Sequence, residues 1–420
     1  SWSDSDDVIT LENLEAESNT GGKASVQSSG FNLANSAIGA GVLAFPFAFY
    51  QTGILLGFLI TVVQVILSAV TIEWIGYASK RCTKKNADSY ERIVQEQLGS
   101  TASVIITFCL LINVFGAMVG FIIIIGDMVQ PIAQLAFGNN IFTDRGFVTL
   151  VFLLLVILPI SSLQNIDSLK FTSILSLISI TFVVLMVTGT TFYKIIENEL
   201  PQPKNINAIN FSWEIFQAIP VITFALTCHA QAPPIFAELK NNTVNRFRIV
   251  IGITYTICFF LYILNGSMGY IQFQGNTMDN ILNNYPQDDW LANLARLAVT
   301  FTVTFSYPLM NYAYRTSFDY LMFTVGFKIF CRKVDVSTLP DELNITIPSV
   351  RRYILETVVA GIICWILNVL VPQISVIFGL MGAIGGSSIV FIFPAILQFK
   401  ASKALLNRIV TSFFIIFGTI

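Results

Sequence analysis

The chain is poor in charged residues and contains a single histidine. Only 11% of its 420 residues are charged, whereas 54% are hydrophobic, and the mean hydropathy is +0.71. Soluble domains carry about 25% charged residues, so this composition predicts a protein that sits in lipid. A net charge of -2 gives no support to a nucleic-acid partner. One histidine and six cysteines are too few to predict a cluster of cysteine and histidine metal ligands.

Several sequence signatures of enzymes and pumps are also missing. The chain has no P-loop, nucleophile elbow, HExxH motif or pair of catalytic carboxylates. Their absence argues against ATP-driven pumping and against hydrolysis, so we expect no catalytic residue and no cofactor. The six cysteines lie in apolar segments or in loops that we assign to the cytosol, and we therefore expect no structural disulfide.

Long apolar windows follow one another from residue 31 onward. A helix of about 20 apolar residues is long enough to cross a bilayer. The third window is longer, and we expect one tilted helix there because Pro131 lies near its end. We predict eleven membrane helices, at about 31–53, 54–78, 103–136, 147–163, 168–193, 214–238, 248–272, 294–323, 352–371, 373–398 and 404–420.

Lysine and arginine are concentrated in the loops on one side of these helices. By the positive-inside rule, that side is cytosolic, and the N-terminus shares it. Residues 1–30 are acidic and polar, so we expect a cytosolic tail that is either solvated or placed over the cytosolic mouth. The basic residues that follow the second, sixth, eighth and tenth windows include Lys80, Arg81, Lys84, Lys85, Arg92, Lys240, Arg246, Arg248, Lys328, Arg332, Lys333, Arg351, Arg352, Lys400, Lys403 and Arg408.

The first apolar window is broken at its centre. The stretch 32–49 reads NLANSAIGAGVLAFPFAF, with Gly39-Ala40-Gly41 in its middle and Pro46 after it. Lipid offers no hydrogen-bond partner to a freed backbone group, so such a break is tolerated only where the backbone faces protein or water. Transporters with discontinuous helices use these freed groups to bind small ions and zwitterions.

A second window of this kind runs from Ala218 to Lys240, with Thr-Cys-His-Ala in its middle and a Pro233-Pro234 pair. The first and sixth windows would then be equivalent helices of two repeats with five spans each. Because five is an odd number, the second repeat would have the opposite orientation in the membrane. We predict an all-α leucine-transporter-type fold with a 5+5 inverted repeat, whose first and sixth helices are discontinuous. The transporter domain covers 31–420, with repeats at about 31–193 and 214–398 and an eleventh helix from about 404. Two ordinary Gly- or Pro-kinked helices are the alternative.

Three segments carry a recognisable pattern: NLANSAIGAGVLAFPFAFYQTG (32–53), TFALTCHAQAPPIFAEL (223–239) and VTFSYPLMNYAYR (303–315). They resemble the first, sixth and eighth helices of the amino acid/auxin permease family. That family includes sodium-coupled neutral amino acid transporters of animals and vacuolar amino acid transporters of fungi. The resemblance implies eleven helices and the movement of small amino acids coupled to Na⁺ or H⁺. Animal members often carry an external disulfide, for which this chain lacks the cysteines.

We expect the amino acid to bind between the two breaks. Glycine allows an open backbone and a close approach of ligand atoms, and a helix N-terminus suits a carboxylate. One side of the expected site consists of Ser36, Gly39, Ala40 and Gly41. The opposite wall consists of Thr223, Phe224, Thr227 and Cys228. Two alternatives stay open: tight packing through small residues at the glycines, and hydrogen bonds from the threonine hydroxyls to their own i−4 carbonyls.

The resemblance matches Asn35 and Ser306 to side chains of the cation site in sodium-coupled members, so Na⁺ is one expected coupling ion. Oxygen ligands suit a hard cation. Thr302 lies one turn before Ser306 on the same helix face, and we group Ile38 with these residues. His229 is the alternative, as carrier of a coupling proton. The alternative is that these side chains have only a structural role and form hydrogen bonds to a neighbouring helix or to a freed carbonyl.

These features together predict a secondary active transporter of small neutral amino acids, acting as a symporter or antiporter by alternating access. A monomer suffices for this activity, with the amino acid and the lipid bilayer as partners. A second hypothesis is an amino-acid-sensing receptor that signals through the N-terminal tail. A passive channel fits less well, because the polar groups cluster in mid-membrane. The acidic tail and the missing disulfide favour a vacuolar or lysosomal membrane over the plasma membrane.

Overall fold

The computed structural model describes residues 22–83, 87–162, 172–201, 206–330, 350–402 and 404–419. Within these ranges the chain is mainly helical, and one isolated bridge pairs the backbone of Ala24 with that of Leu239. In chain order the helices are α1 (Val26–Ala37), α2 (Ala40–Thr52), α3 (Ile54–Arg81), α4 (Tyr90–Leu98), α5 (Ser100–Phe137), α6 (Arg145–Ser161), α7 (Thr172–Ile196), α8 (Ile215–Ala225), α9 (Ala232–Glu238), α10 (Val244–Phe273), α11 (Trp290–Phe330), α12 (Val350–Leu370), α13 (Ile374–Ala401) and α14 (Leu405–Thr419).

Among the described residues, seven spans are long and apolar enough to cross a membrane, and the bent pair α1–α2 makes an eighth. Two shorter apolar helices, α6 and α14, accompany them. Large apolar side chains such as Leu59, Ile66 and Phe108 are exposed on the outer surface. Such an exterior suits lipid and not water, so the chain is a multi-pass membrane protein. Each predicted window contains at least one helix, whereas eleven crossings stay a prediction.

The first span is broken at the predicted position. Regular helix ends at Ala37 and resumes at Ala40, and the two halves are bent by 53°. Between them, Gly39 has an extended backbone with φ of -120° and ψ of -152°. The new segment begins with a 3-10 turn, Ala40–Ala44, before it continues as α-helix. The prediction of a discontinuous first helix is confirmed.

The sixth span is interrupted between α8 and α9. Regular helix ends at Ala225, and a 3-10 turn at His229–Gln231 precedes α9. Pro233 occupies the first turn of α9, where the N–H that proline lacks would have no helical partner. The proline pair therefore starts the second half-helix, and the prediction of a discontinuous sixth helix is also confirmed.

Two features of the fold were not visible in the apolar windows. The short helix α4 buries Tyr90, Ile93 and Val94 but exposes Gln95 and Glu96, so its mean hydropathy is low. Helix α1 begins at Val26, before the predicted window at 31–53. The prediction started too late because the first turn of this helix is polar and does not appear in an apolar window. The side chain of Ser25 accepts a hydrogen bond from the Ser28 N–H at 3.2 Å and caps this turn.

The broken helices pack against shared neighbours. Helix α10 packs against α1, α2 and α3, and α8 packs against α2 and α13. Helix α5 packs along α11 and also contacts α6, α12 and α13. The contact between α8 and α13 is close, since a Cβ added at Gly382 would lie 1.8 Å from the carbonyl oxygen of Pro220. This arrangement places the two breaks next to each other inside the bundle.

Candidate functional site

Both breaks meet at one tyrosine hydroxyl. The Oη of Tyr262, on α10, lies 2.8 Å from the carbonyl oxygen of Ala37 and 2.7 Å from that of Ala225. Ala37 is the last residue of α1 and Ala225 the last of α8, where helix carbonyls lack partners within the helix. The phenol is completely buried. One hydroxyl therefore lies within hydrogen-bond distance of the last carbonyl of both broken helices.

Helix α10 also holds the second half of the first span. The side-chain N–H of Asn265 donates to the Val42 carbonyl at 2.7 Å, and the Phe45 ring stacks on Tyr262 with 4.5 Å between ring centroids. Sequence reasoning did not identify α10 as part of the site. The sequence did contain a signal, since Tyr262 and Asn265 lie three residues apart inside an apolar span. Polar side chains in a membrane helix usually face other helices, so this pair indicated a contact between helices.

The two glycines of the first break have different surroundings. A Cβ added at Gly41 would lie 2.7 Å from the Ala225 Cβ, so this glycine allows α2 and α8 to touch. No atom lies within 4 Å of a Cβ added at Gly39. Ala40, between them, is buried. The open space of this break is therefore at Gly39, whereas Gly41 has the packing role that was the alternative.

The hydroxyls expected in the site all bond their own helices. Ser36 donates to the Asn32 carbonyl at 3.0 Å, Thr223 to the Ile219 carbonyl at 3.0 Å and Thr227 to the Thr223 carbonyl at 2.7 Å. This is the back-bonded alternative. Each oxygen keeps lone pairs with which it can accept a hydrogen bond from a ligand.

Helix α13 lines the same wall as the residues predicted on α8. The ring of Phe224 stacks on Phe378 of α13 with 4.5 Å between centroids. A Cβ at Gly386 would lie 3.4 Å from Thr223 Cγ2 and 3.6 Å from Thr227 Oγ1. Cys228 lies on the other side, where its Sγ is 3.8 Å from the hydroxyl of Tyr255 on α10. The structure thus groups the first three predicted residues and separates Cys228 from them.

Two of the predicted cation ligands have unused oxygens. Asn35 Oδ1 and Thr302 Oγ1 are buried and have no hydrogen-bond partner among the described residues. By contrast, Thr304 donates to the Thr300 carbonyl at 2.6 Å. Buried polar atoms usually have a hydrogen-bond partner, so each of these oxygens keeps lone pairs that a ligand can use. Oxygen donors of this kind fit a hard cation.

The remaining predicted ion residues are arranged differently. Ser306 is half-buried on α11, one turn after Thr302, and Ile38 is fully buried at the end of α1. Within the described ranges, α1 and α11 are not among the closely packed helix pairs. A cation that joins Asn35 to α11 would therefore require α1 to approach that helix.

His229 is buried against α3. Its Nε2 lies 2.9 Å from the hydroxyl of Thr71, and the imidazole has no exposed surface. The same hydroxyl lies 3.1 Å from the Leu67 carbonyl and 3.0 Å from the Ser68 carbonyl. The bonded partner of the histidine is thus a hydroxyl on a neighbouring helix and not a carbonyl freed by the break.

One end of the bundle is covered by a connecting segment, residues 274–289, which we call the lid. It contains two 3-10 turns and packs on the Ala40–Ala44 turn of the first break. The buried guanidinium of Arg296 holds it in place, since it donates to the carbonyls of Leu282 at 3.0 Å and Tyr285 at 2.7 Å. The lid therefore closes the side of the breaks that faces away from α1.

An ionic cluster fastens the lid to the rest of the bundle. Asp127 on α5 accepts hydrogen bonds from Arg145 on α6 at 3.0 Å and from Asn280 of the lid at 2.9 Å. The neighbouring Asp279 accepts a bond from the Ser375 N–H at the start of α13. Burial raises the pKa of the Asp279 carboxyl above its ordinary value, although the bond from Ser375 opposes this change. The lid is thus tied to three helices.

At the opposite end of the bundle, the described residues of α1 present a polar face. Helix α1 buries Leu33 and Ala37 but exposes Ser28, Asn32 and Ser36 on another face. Polar side chains on a membrane-embedded helix face water or protein because lipid cannot hydrogen-bond to them. This polar face leads along α1 toward the open space at Gly39. Among the described residues, the lid covers one side of the breaks, and the polar face of α1 is exposed on the other.

Comparison with known proteins places this geometry in context. The model of the transmembrane amino acid transporter protein family matches residues 22–420. Amino acid transporter AVT6E of Arabidopsis thaliana is 29% identical over 398 residues, which cover 91% of this chain and 78% of the relative. Sodium-coupled neutral amino acid transporter 7 of Danio rerio is 27% identical over 380 residues, which cover 88% of this chain and 78% of that protein.

A solved structure shows the same architecture. It is a Na⁺-coupled sialic acid symporter in a substrate-bound, outward-open state, which superposes with a TM-score of 0.53 over 98% of this chain and 93% of that chain. The sequences are 12% identical, so the likeness concerns the fold alone. It confirms the predicted leucine-transporter-type fold.

The lid contacts lead to a test by hydrogen exchange. Replacement of Asn280 by Ala removes a buried hydrogen bond to Asp127, which we expect to contribute about 1.5–3 kcal/mol to lid closure. It also removes the 3.3 Å bond that the Asn280 side chain accepts from the Leu282 N–H within the lid. Amide exchange in the lid should then be faster by about tenfold or more. The control is Gln287→Ala, which removes an exposed, uncharged bond between the lid and Gln134. Equal exchange rates in the two variants would show that the Asp127 cluster does not hold the lid.

Proposed function

The chain belongs to the transmembrane amino acid transporter protein family, and on this basis we propose that it carries small neutral amino acids across a membrane by alternating access. The observation that carries the proposal is the open backbone at Gly39 beside the joined ends of α1 and α8. The family and its curated relatives are transporters and not enzymes.

The proposed substrate site has groups for both charges of an amino acid. The start of α2 presents backbone N–H groups, which suit a carboxylate. The ends of α1 and α8 present carbonyl oxygens, which suit an ammonium group. The surrounding side chains that we assign to the substrate, Ser36, Thr223, Phe224 and Thr227, carry no charge. An uncharged wall supports a neutral substrate, and the stack of Phe224 on Phe378 limits the size of its side chain.

We further propose that Na⁺ is the coupling ion and that Asn35, Thr302 and Ser306 bind it, with Ile38 beside them. The unused oxygens of Asn35 and Thr302 support this choice, as do the names of relatives that are sodium-coupled. A proton carried by His229 is the second candidate. It has less support, because the imidazole is buried against Thr71 and not beside the open space at Gly39.

The direction of the open side follows from the proposed topology. If the basic loops and the N-terminus are cytosolic, the polar face of α1 opens to the cytosol and the lid closes the outer or luminal side. The two repeats would then comprise α1–α7 and α8–α13, with α14 as the eleventh membrane helix. We propose a vacuolar or lysosomal membrane. No described residue supports the receptor alternative, since residues 1–21 of the tail lie outside the described part of the chain.

Counterflow of labelled amino acids in proteoliposomes tests the proposed function. We expect vesicles loaded with a small neutral amino acid to accumulate the labelled form. Net uptake should respond to an imposed Na⁺ gradient and not to a pH gradient alone. Uptake driven only by the pH gradient would shift the assignment to a proton. Failure of the purified, folded protein to exchange any of the standard amino acids would contradict the function itself.

Variants of two threonines on α11 test whether Thr302 binds the cation or has only a structural role. Thr302→Val removes the unused oxygen and keeps the shape of the side chain, so the Na⁺ concentration for half-maximal uptake should rise by about tenfold or more, a loss of about 1.4 kcal/mol in binding. Thr304→Val is the matched control, because its hydroxyl already bonds the Thr300 carbonyl. Equal shifts in both variants, or none in Thr302→Val, would remove Thr302 from the site.

A further inference from the structure

Tyr262 occupies a position that is electrostatically unusual. Two helices end at it, and the C-terminal end of a helix carries a partial negative charge. The carbonyls of Ala37 and Ala225 lie within hydrogen-bond distance of the same oxygen, at 2.8 and 2.7 Å. A phenol has a single O–H proton, so it donates fully to only one of the two carbonyls at a time. The two carbonyls therefore share the phenol proton in a buried space, and the Ala37 carbonyl accepts a second bond from the Gly39 N–H at 2.9 Å.

Other groups on α10 do not join the two breaks. The Tyr255 hydroxyl lies 3.5 Å from the Leu226 carbonyl of the second break, and Asn265 bonds Val42 of the first. Tyr262 differs from both because its hydroxyl touches the first and the second broken helix together. The ends of α1 and α8 are thus linked through one side chain.

Without the phenol, the Ala37 carbonyl would keep only the Gly39 N–H, which lies 2.9 Å away, and the Ala225 carbonyl would have no hydrogen-bond donor among the described residues. Unsatisfied buried acceptors are costly, and freed carbonyls at broken membrane helices are otherwise satisfied by cations. The tyrosine supplies a fixed, uncharged donor at this position. Because its oxygen is held by a rigid ring on a long helix, the distance between the two helix ends is fixed as well.

We propose that Tyr262 is a positioning residue that holds the ends of α1 and α8 in register for the amino acid, and that its hydroxyl takes the place of a cation between them. This inference rests on the proposed function. It implies that the two helix ends move as one unit during transport. It also implies that the coupling ion binds elsewhere, so this junction contributes no ion to the transport cycle.

The experiment compares Tyr262→Phe with Tyr270→Phe. Tyr270 is buried on the same helix, but its hydroxyl accepts a bond from the Asn207 N–H in a connecting segment. In counterflow, we expect Tyr262→Phe to raise the KM for the amino acid by about tenfold or more, equivalent to about 1.4 kcal/mol, and to lower kcat less. Tyr270→Phe should leave KM nearly unchanged. Equal KM values in the two variants would overturn the positioning role.

A second measurement tests the replacement of a cation without a transport assay. The melting temperature of each purified variant is measured in NaCl and in choline chloride at equal ionic strength. Tyr262→Phe leaves the Ala225 carbonyl without a donor and the Ala37 carbonyl with the Gly39 N–H alone, so Na⁺ should raise its melting temperature more than that of the wild type or of Tyr270→Phe. An identical Na⁺ response in all three proteins would overturn this part of the proposal.

These two readouts distinguish the failure of the inference from that of the proposed function. If the wild type exchanges no amino acid, the proposed function fails, and the melting experiment still decides whether the phenol replaces a cation. If Tyr262→Phe does not fold, 3-fluorotyrosine at 262 or at 270 keeps the ring and changes the strength of the hydroxyl donor. A larger change in KM at 262 supports the positioning role, and equal changes contradict it.

Discussion

The constraint on which the structure depends is that backbone groups freed inside a membrane must find partners within the protein. Breaks in two helices create such groups. The Tyr262 hydroxyl lies within hydrogen-bond distance of the Ala37 and Ala225 carbonyls, and the Gly39 N–H also donates to the Ala37 carbonyl. The small residues Gly41 and Ala225 allow the halves to touch at the same place. Open backbone remains at Gly39, where the proposed amino acid binds.

The two ends of the bundle differ in how they are closed. At one end the lid is fixed by Arg296 and by the Asp127 cluster, so opening it would require several buried hydrogen bonds to break. At the other end, α1 exposes a polar face and does not pack closely on α11 within the described ranges. A cycle that closes α1 and releases the lid would give access alternately from the two sides. In that cycle, the oxygens of Asn35 and Thr302 approach each other only when α1 closes.

Sequence patterns predicted the elements that depend on local chemistry. Glycine and proline predicted both breaks, and hydropathy predicted the spans. The roles of individual residues at the site depend on tertiary contacts, which cannot be read from a single sequence. Gly39 and Gly41 look alike in the chain, yet only the packing of Ala225 distinguishes them. Tyr262 lies in an ordinary apolar helix, and the lid and α4 are too polar to be noticed by hydropathy.

The most direct test of the central claim, a substrate site at the joined breaks, is the reactivity of a cysteine at Gly39. A Gly39→Cys variant has room for its side chain, since no atom lies within 4 Å of a Cβ there. A small, charged thiol reagent should modify it in purified protein above the background of the native cysteines, and a transported amino acid at saturating concentration should slow this reaction strongly. An unchanged rate in the presence of a transported amino acid would contradict a substrate site at Gly39.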